Sequence, residues 1–317
     1  MMFPSPAALE ASREKAVLGG EDEQLHRYQE DSGRPSRLSV AEETVVTDHQ
    51  ARQLYHMVQK AEGVIAPGAW YTSVLFFRAF YARRSILEHN PETSLFCALL
   101  LALKAEEQAL DVSFFANLLG KILGAPTPAS SSSASDASVT VPHPGPEDRA
   151  ATKRKIEKRW ADVLRSELDF IEGIDFQLVV EKPFAILELL AETLVAEQGP
   201  PSSEAFGEEK NHYIHQEVDA VSLVKPWTSE QVRAAAMSDE ALCLPVRLIA
   251  IAIFVAAGNR VPASVKRSLS AEEVQLMKPL ILKVRAAEGA TTSAEQAAQL
   301  GTILNKRKQC LKQRKAK

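Results

Sequence analysis

The sequence predicts an all-α protein. Apolar residues recur at steps of three and four along almost the whole chain, the signature of helices with one buried face. Alternating valine, isoleucine or threonine, which would build strands, is nearly absent. Two segments, 95–103 and 246–257, are apolar on every side, which suits a helix only in the middle of a bundle. With 317 residues, 45% of them hydrophobic and 25% charged, the chain has a globular composition and enough length for two ordinary domains.

The elements follow in order. Residues 1–47 mix charge, Gly and Pro (GGEDEQ, SGRPSR) and read as an N-terminal arm with one short helix near residues 7–17. Helices are expected at 48–62, 68–84, 91–107 and 112–123. The stretch PTPASSSSASDASVTVPHPGP, 126–146, is too rich in Ser and Pro to bury much surface and reads as a disordered insertion. A charge-rich helix resumes at 147–173, followed by one at 183–197 and another at 208–224. Further helices are expected at 228–237, 245–258 and 271–287, and the last at 292–312. Each wholly apolar helix follows two or more amphipathic ones, as a duplicated helical unit would produce. Periodicity alone leaves two arrangements open: two domains, each around its own central helix, or one irregular bundle.

Composition excludes several functions. A net charge of -4 and a pI near 6.0 leave no footprint for direct nucleic-acid binding over the body of the chain. No apolar run is long enough for a membrane span, and MMFPSPAALEASREK lacks the apolar core of a signal peptide. Three widely spaced cysteines suggest neither a disulfide framework nor zinc, and fit a reducing compartment. There is no Gly-rich phosphate loop, and no Ser-His-Asp or Cys-His arrangement stands out, so no enzyme, cofactor or metal is expected. His212 and His215 lie three apart near Glu208 and Glu217; a metal pair and plain surface polarity both fit them. The terminal KRKQCLKQRKAK has seven basic residues and no acidic one, which suits a nuclear-import signal, a contact for acidic partners or a solvated helix end.

Two charges sit where apolar residues are expected. From Ile156 the apolar positions are Ile156, Trp160, Val163, Leu164, Leu168, Ile171 and Ile174, and Glu167 falls on that stripe, four residues from Val163 and from Ile171. The greasy run LFCALLLAL ends in Lys104, one turn after Leu100 and Leu101 and two after Cys97. A lysine at a helix C-terminus meets the negative end of the macrodipole. Either both side chains reach water independently, or they pair at a partly buried rim and present hydrogen-bonding groups to a partner.

WYTSVLFFRAFYARRSILEHNPETSLFCALLLALKAEE, 70–107, and RSELDFIEGIDFQLVVEKPF, 165–184, resemble the cyclin box. The likeness covers residues 51–197 closely and 208–287 mainly as helix pattern, and it implies two cyclin-box repeats, 48–197 and 198–289, with a C-terminal helix and basic tail at 290–317. Within the family, DEQLHRYQED, DFQLVVEKPF, NLLGK (117–121) and the helical tail are most similar to the cyclin H branch; FYARRS and GTILNK also resemble the cyclin C branch of the Mediator kinase module. The segment ARQLYHMVQK lacks the substrate-docking arginine motif of mitotic cyclins. The resemblance implies a nuclear, non-catalytic subunit that binds and activates a cyclin-dependent kinase. It also implies further partners, a RING-finger assembly factor and transcription-initiation subunits; the remaining alternative is a non-kinase cyclin-fold transcription adaptor. It assigns Lys104 and Glu167 to gripping the kinase loop ahead of its mobile regulatory helix, and Ile171, Phe176 and Leu178 to packing against that helix. Two departures stand out: Ala105 replaces a bulkier residue, and 126–146 is a long insertion.

Overall fold

The computed structural model describes residues 2–18, 37–59, 65–108, 146–198, 228–287 and 294–315. The expected helices at 112–123 and 208–224, the insertion apart from Pro146, and His212 and His215 lie outside these residues. Among the described residues there are twelve helices and no strand: α1 Pro6–Leu18, α2 Val40–Gln59, α3 Pro67–Tyr81, α4 Pro91–Ala105, α5 Pro146–Gly173, α6 Phe184–Gln198, α7 Ser229–Ala236, α8 Glu240–Cys243, α9 Val246–Ala256, α10 Ala263–Ser268, α11 Ala271–Ala286 and α12 Ala294–Lys315. The all-α expectation holds. No described helix is long and apolar enough to cross a membrane, and no described group of three or more His, Cys, Asp or Glu could hold a metal.

The chain divides into two compact units, Arg13–Val179 with Ile303–Lys317, and Met1–Ser12 with Val180–Thr302. Each is built around one of the two wholly apolar helices. In the first unit α4 packs against α2, α3 and α5, and Pro91, Ser94 and every residue from Leu95 to Leu103 are buried. In the second, α9 packs against α6, α7, α8 and α11, with Leu248 to Phe254 buried. A helix enclosed on all sides needs no polar face, which explains why these two show so little amphipathic pattern.

Local chemistry sets the helix starts. α4 begins at Pro91 behind Asn90, whose side chain accepts from the Glu92 amide. α2 begins eight residues earlier than expected because Ser39 and Glu42 form a capping box: the Ser39 amide donates to Glu42 Oε2 (2.8 Å) and the Glu42 amide to Ser39 Oγ (3.2 Å). α7 and α11 start with the same device, at Thr228–Gln231 and Ser270–Glu273.

The second half of α12 closes the first unit. Ile303 and Cys310 are buried, Lys306 Nζ reaches both Glu42 oxygens (2.8 and 2.7 Å), and Arg307 Nε donates to the Ile86 carbonyl (3.2 Å). In the second unit Glu197, at the end of α6, accepts from the Ser264 amide (2.9 Å) and hydroxyl (2.6 Å) at the start of α10.

Candidate functional site: the paired ends of α4 and α5

Three contacts link α4 to α5. Arg159 pairs with Glu92, Cys97 Sγ meets the Val163 carbonyl at 3.4 Å, and Lys104 Nζ pairs with Glu167 Oε1. Lys104 is the last residue but one of α4 and Glu167 lies within two turns of the end of α5, so this pair brings the C-terminal parts of the two helices together. That shared end holds the residues singled out from the sequence.

Lys104 and Glu167 therefore meet. The Lys104 side chain is 49% exposed and Glu167 21%, a pair at the rim of the bundle with the lysine open to solvent. Behind it, Glu106 accepts from the Thr72 hydroxyl (2.8 Å) and Gln108 Oε1 from the Ala66 amide (3.3 Å), which ties the end of α4 to the start of α3. Cys97 lies deeper: burial pushes its thiol up to about 12, with the Glu167 and Asp169 carboxylates adding to the shift, so it stays a neutral thiol.

The apolar stripe on α5 divides in two. Val163, Phe170 and Ile174 are buried, and Phe170 stacks on Phe80 with ring centroids 4.4 Å apart. Leu164 and Leu168, expected on the core side, instead face solvent, Leu168 at 63% exposure, while Ile156, Trp160 and Ile171 are half-buried. The stripe is wider than the face its neighbours cover. Beyond α5, Phe176 is 64% exposed, with Leu178 and Val179 also open. Leu164, Leu168 and Val179 thus extend the apolar surface beyond the residues assigned from sequence, and the over-wide stripe was the signal for the two leucines.

The backbone at both helix ends is constrained. α4, α5 and α9 all finish with the same paired hydrogen bonds: Gln108 to Leu103 and Glu107 to Lys104; Phe176 to Ile171 and Asp175 to Glu172; Asn259 to Phe254 and Gly258 to Val255. This motif places one residue in the left-handed region, where glycine is favoured. α9 uses Gly258 there (φ 87°). α4 uses Glu107 (φ 52°), and α5 uses Asp175 (φ 58°) followed by Phe176 (φ 55°). For an exposed phenylalanine such a conformation is rare, and strain of this kind gathers where a surface must be held in shape. Gly173 allows α5 to lie flat against α3, since a Cβ there would fall 2.4 Å from Phe80 Cδ2 and Cε2.

No protein-family model and no curated protein matches the chain. Among solved structures it is similar to a chain in the CAK complex from Chaetomium thermophilum bound to ATP-gamma-S, at 18% identity over 98% of this chain and 85% of that one, with a TM-score of 0.67. It is also similar to a chain of the yeast TFIIK (Kin28/Ccl1/Tfb3) complex, at 16% identity over 90% of this chain and 96% of that one, with a TM-score of 0.54. The fold is cyclin-like. The expected architecture of all-α repeats stands on that likeness, and within this cyclin-like fold the ends of α4 and α5 form the candidate interface.

Proposed function

We propose that the chain is a cyclin-type regulatory subunit that binds and activates a cyclin-dependent kinase through the joined ends of α4 and α5. The observation that supports this most directly is the Lys104–Glu167 pair set beside an apolar surface, Leu168, Ile171, Phe176 and Leu178, that the folded unit leaves uncovered or half-covered. A rim ion pair contributes little to stability, commonly about 0 to 1 kcal/mol, and exposed apolar side chains contribute nothing to it. Together they suit a partner with a helix to pack and a neighbouring loop with backbone groups to bond.

The subunit acts by changing another protein's shape. Phosphoryl transfer in a protein kinase requires its Lys–Glu ion pair and its magnesium ligand to be in place, and the position of one mobile helix controls both. Leu178, Phe176 and Ile171 pack against that helix; Lys104 and Glu167 hold the loop leading into it. Binding energy spent on the active arrangement raises its population. No residue of the subunit touches ATP.

Similarity to chains of the CAK and TFIIK complexes favours the kinase that phosphorylates other cyclin-dependent kinases and the C-terminal domain of RNA polymerase II, acting in the nucleus beside transcription-initiation subunits and a RING-finger assembly factor. Reconstitution with purified kinase tests the interface: Lys104→Ala or Glu167→Ala leaves its partner charge unpaired in the complex and weakens binding by about 2 to 5 kcal/mol. Wild-type activation by both variants would remove the pair from the mechanism. Affinity purification from nuclear extract tests the partner; recovery of Mediator subunits in place of initiation subunits would shift the reading to the cyclin C branch.

A further inference from the structure

The second unit carries an exposed hydroxyl held by a cation. Ser268, the last residue of α10, accepts from Arg247 Nη2 near the start of α9 (2.7 Å) and donates to the Val265 carbonyl (2.7 Å). Ser39, Ser264 and Ser270 are exposed as well, but each is held by a glutamate. Ser264 Oγ donates to Glu197 (2.6 Å), and the Glu42 and Glu273 carboxylates fold back onto the amides of Ser39 and Ser270 (2.8 Å each). Ser268 alone of the four faces a positive charge.

We propose that Ser268 is a phosphorylation site for a separate, basophilic protein kinase, and that Arg247 holds the phosphate and fastens α10 to α9. Lys266 and Arg267 stand immediately before the serine in VKRSLS, the kind of charge pattern by which such a kinase selects its substrate. Access is easy, because α10 has six residues and none of them is buried, so the segment opens readily to enter an extended substrate groove. In the transfer the Ser268 Oγ–P bond forms as the bond from the γ-phosphorus of ATP to its bridging oxygen breaks. ADP leaves, and the hydroxyl proton passes to the catalytic base of the kinase. The product carries about -1.5 to -2 charge and three acceptor oxygens. The hydrogen bond to Val265 is lost, and Arg247 exchanges a neutral acceptor for a charged one that a guanidinium can hold with two donors. Among the described residues Arg247 pairs with no carboxylate, so its charge is available. Glu197, at the other end of α10, is already engaged by Ala263, Ser264 and Arg267. On Ser39, Ser264 or Ser270 the same phosphate would meet a glutamate and break the cap that the serine makes with it. The site belongs to the second unit and does not depend on the kinase surface proposed above.

The full chain incubated with the catalytic subunit of a basophilic kinase and magnesium ATP, then mapped by tandem mass spectrometry, tests the site; phosphorus-31 NMR of the product tests the contact. Phosphate is expected on Ser268 and not on Ser264 or Ser270. The phosphoserine resonance, assigned by its absence from Ser268→Ala, is expected to titrate about half a unit or more below the usual value near 6, and to return to that value in Arg247→Gln. Arg247 and Ser268 are both exposed, so the two variants keep the wild-type circular dichroism spectrum and melting temperature. An unmodified Ser268, phosphate arriving on Ser264 or Ser270 as fast or faster, or a titration that Arg247→Gln leaves unchanged would each overturn the proposal.

Discussion

Lys104 and Glu167 join two helices while Lys104 stays half open to water, so their contribution to the free chain is small. Replacing either by Ala is expected to shift the melting temperature by no more than about 2 °C, the size of a change below 1 kcal/mol. Glu107 and Phe176 are different, because each occupies a left-handed conformation that costs an L-residue roughly 1 to 2 kcal/mol. Glu107→Gly and Phe176→Gly should each stabilise the free chain by about 1 kcal/mol in urea unfolding. For Phe176→Gly the gain comes with weaker kinase binding, since the exposed ring is lost. A destabilised Phe176→Gly chain would show that its conformation is not strained. Residue type was legible at these positions from the sequence, but backbone strain was not: Asp175 and Phe176 follow a glycine, Gly173, that looks like an ordinary helix stop, and the left-handed turn falls two residues later.

At the scale of elements, the placement of α5 depends on Gly173. Ala there forces the helix end away from Phe80 and should destabilise the unit by about 1 to 3 kcal/mol, and the same displacement moves Phe176 and lowers kinase affinity. α2 carries two carboxylates with opposite pH behaviour. Burial pushes Glu43 up, only partly offset by donation from Ser85 Oγ (2.6 Å) and the Ile86 amide (3.2 Å). Its folded value is raised, so its stabilisation is complete below the ordinary 4.5 and is lost as pH rises through the folded value. Burial also acts against ionisation of Glu42, but Lys306 and the Ser39 amide outweigh it and hold the carboxyl below 4.5. Its stabilisation is present above 4.5 and disappears as pH falls through the lowered value. Urea unfolding from pH 3 to 7 should therefore show the wild type gaining on Glu43→Gln as pH falls toward 4.5, and losing its advantage over Glu42→Gln below 4.5. Most helices were readable from periodicity, because a core on one side imposes a period of 3.6. The short α8 and α10 were not, being too brief to show a period, and the early start of α2 lay in a capping box, SVAE, that periodicity does not register.

At the scale of the molecule, each unit surrounds one apolar helix, and α12 closes the first with Ile303, Lys306, Arg307 and Cys310. A chain ending at Thr302 loses two fully buried side chains and the Lys306–Glu42 bridge. The first unit should lose about 3 kcal/mol or more, seen as an earlier urea transition. The two central helices were visible in sequence as runs without a polar face. What sequence could not decide was whether Lys104 and Glu167 meet, because periodicity fixes the face of each helix and not the register between α4 and α5. That register follows from contacts such as Cys97 with Val163, which join residues far apart in the chain.

The central claim is that the ends of α4 and α5 grip a cyclin-dependent kinase. Titrating purified kinase with wild-type chain and with Lys104→Ala, and reading phosphoryl transfer to a substrate, tests it most directly. The expected result is a half-maximal concentration about 30-fold higher for the variant, equivalent to about 2 kcal/mol, with its melting temperature unchanged. Superimposable titrations from an equally stable variant would contradict it.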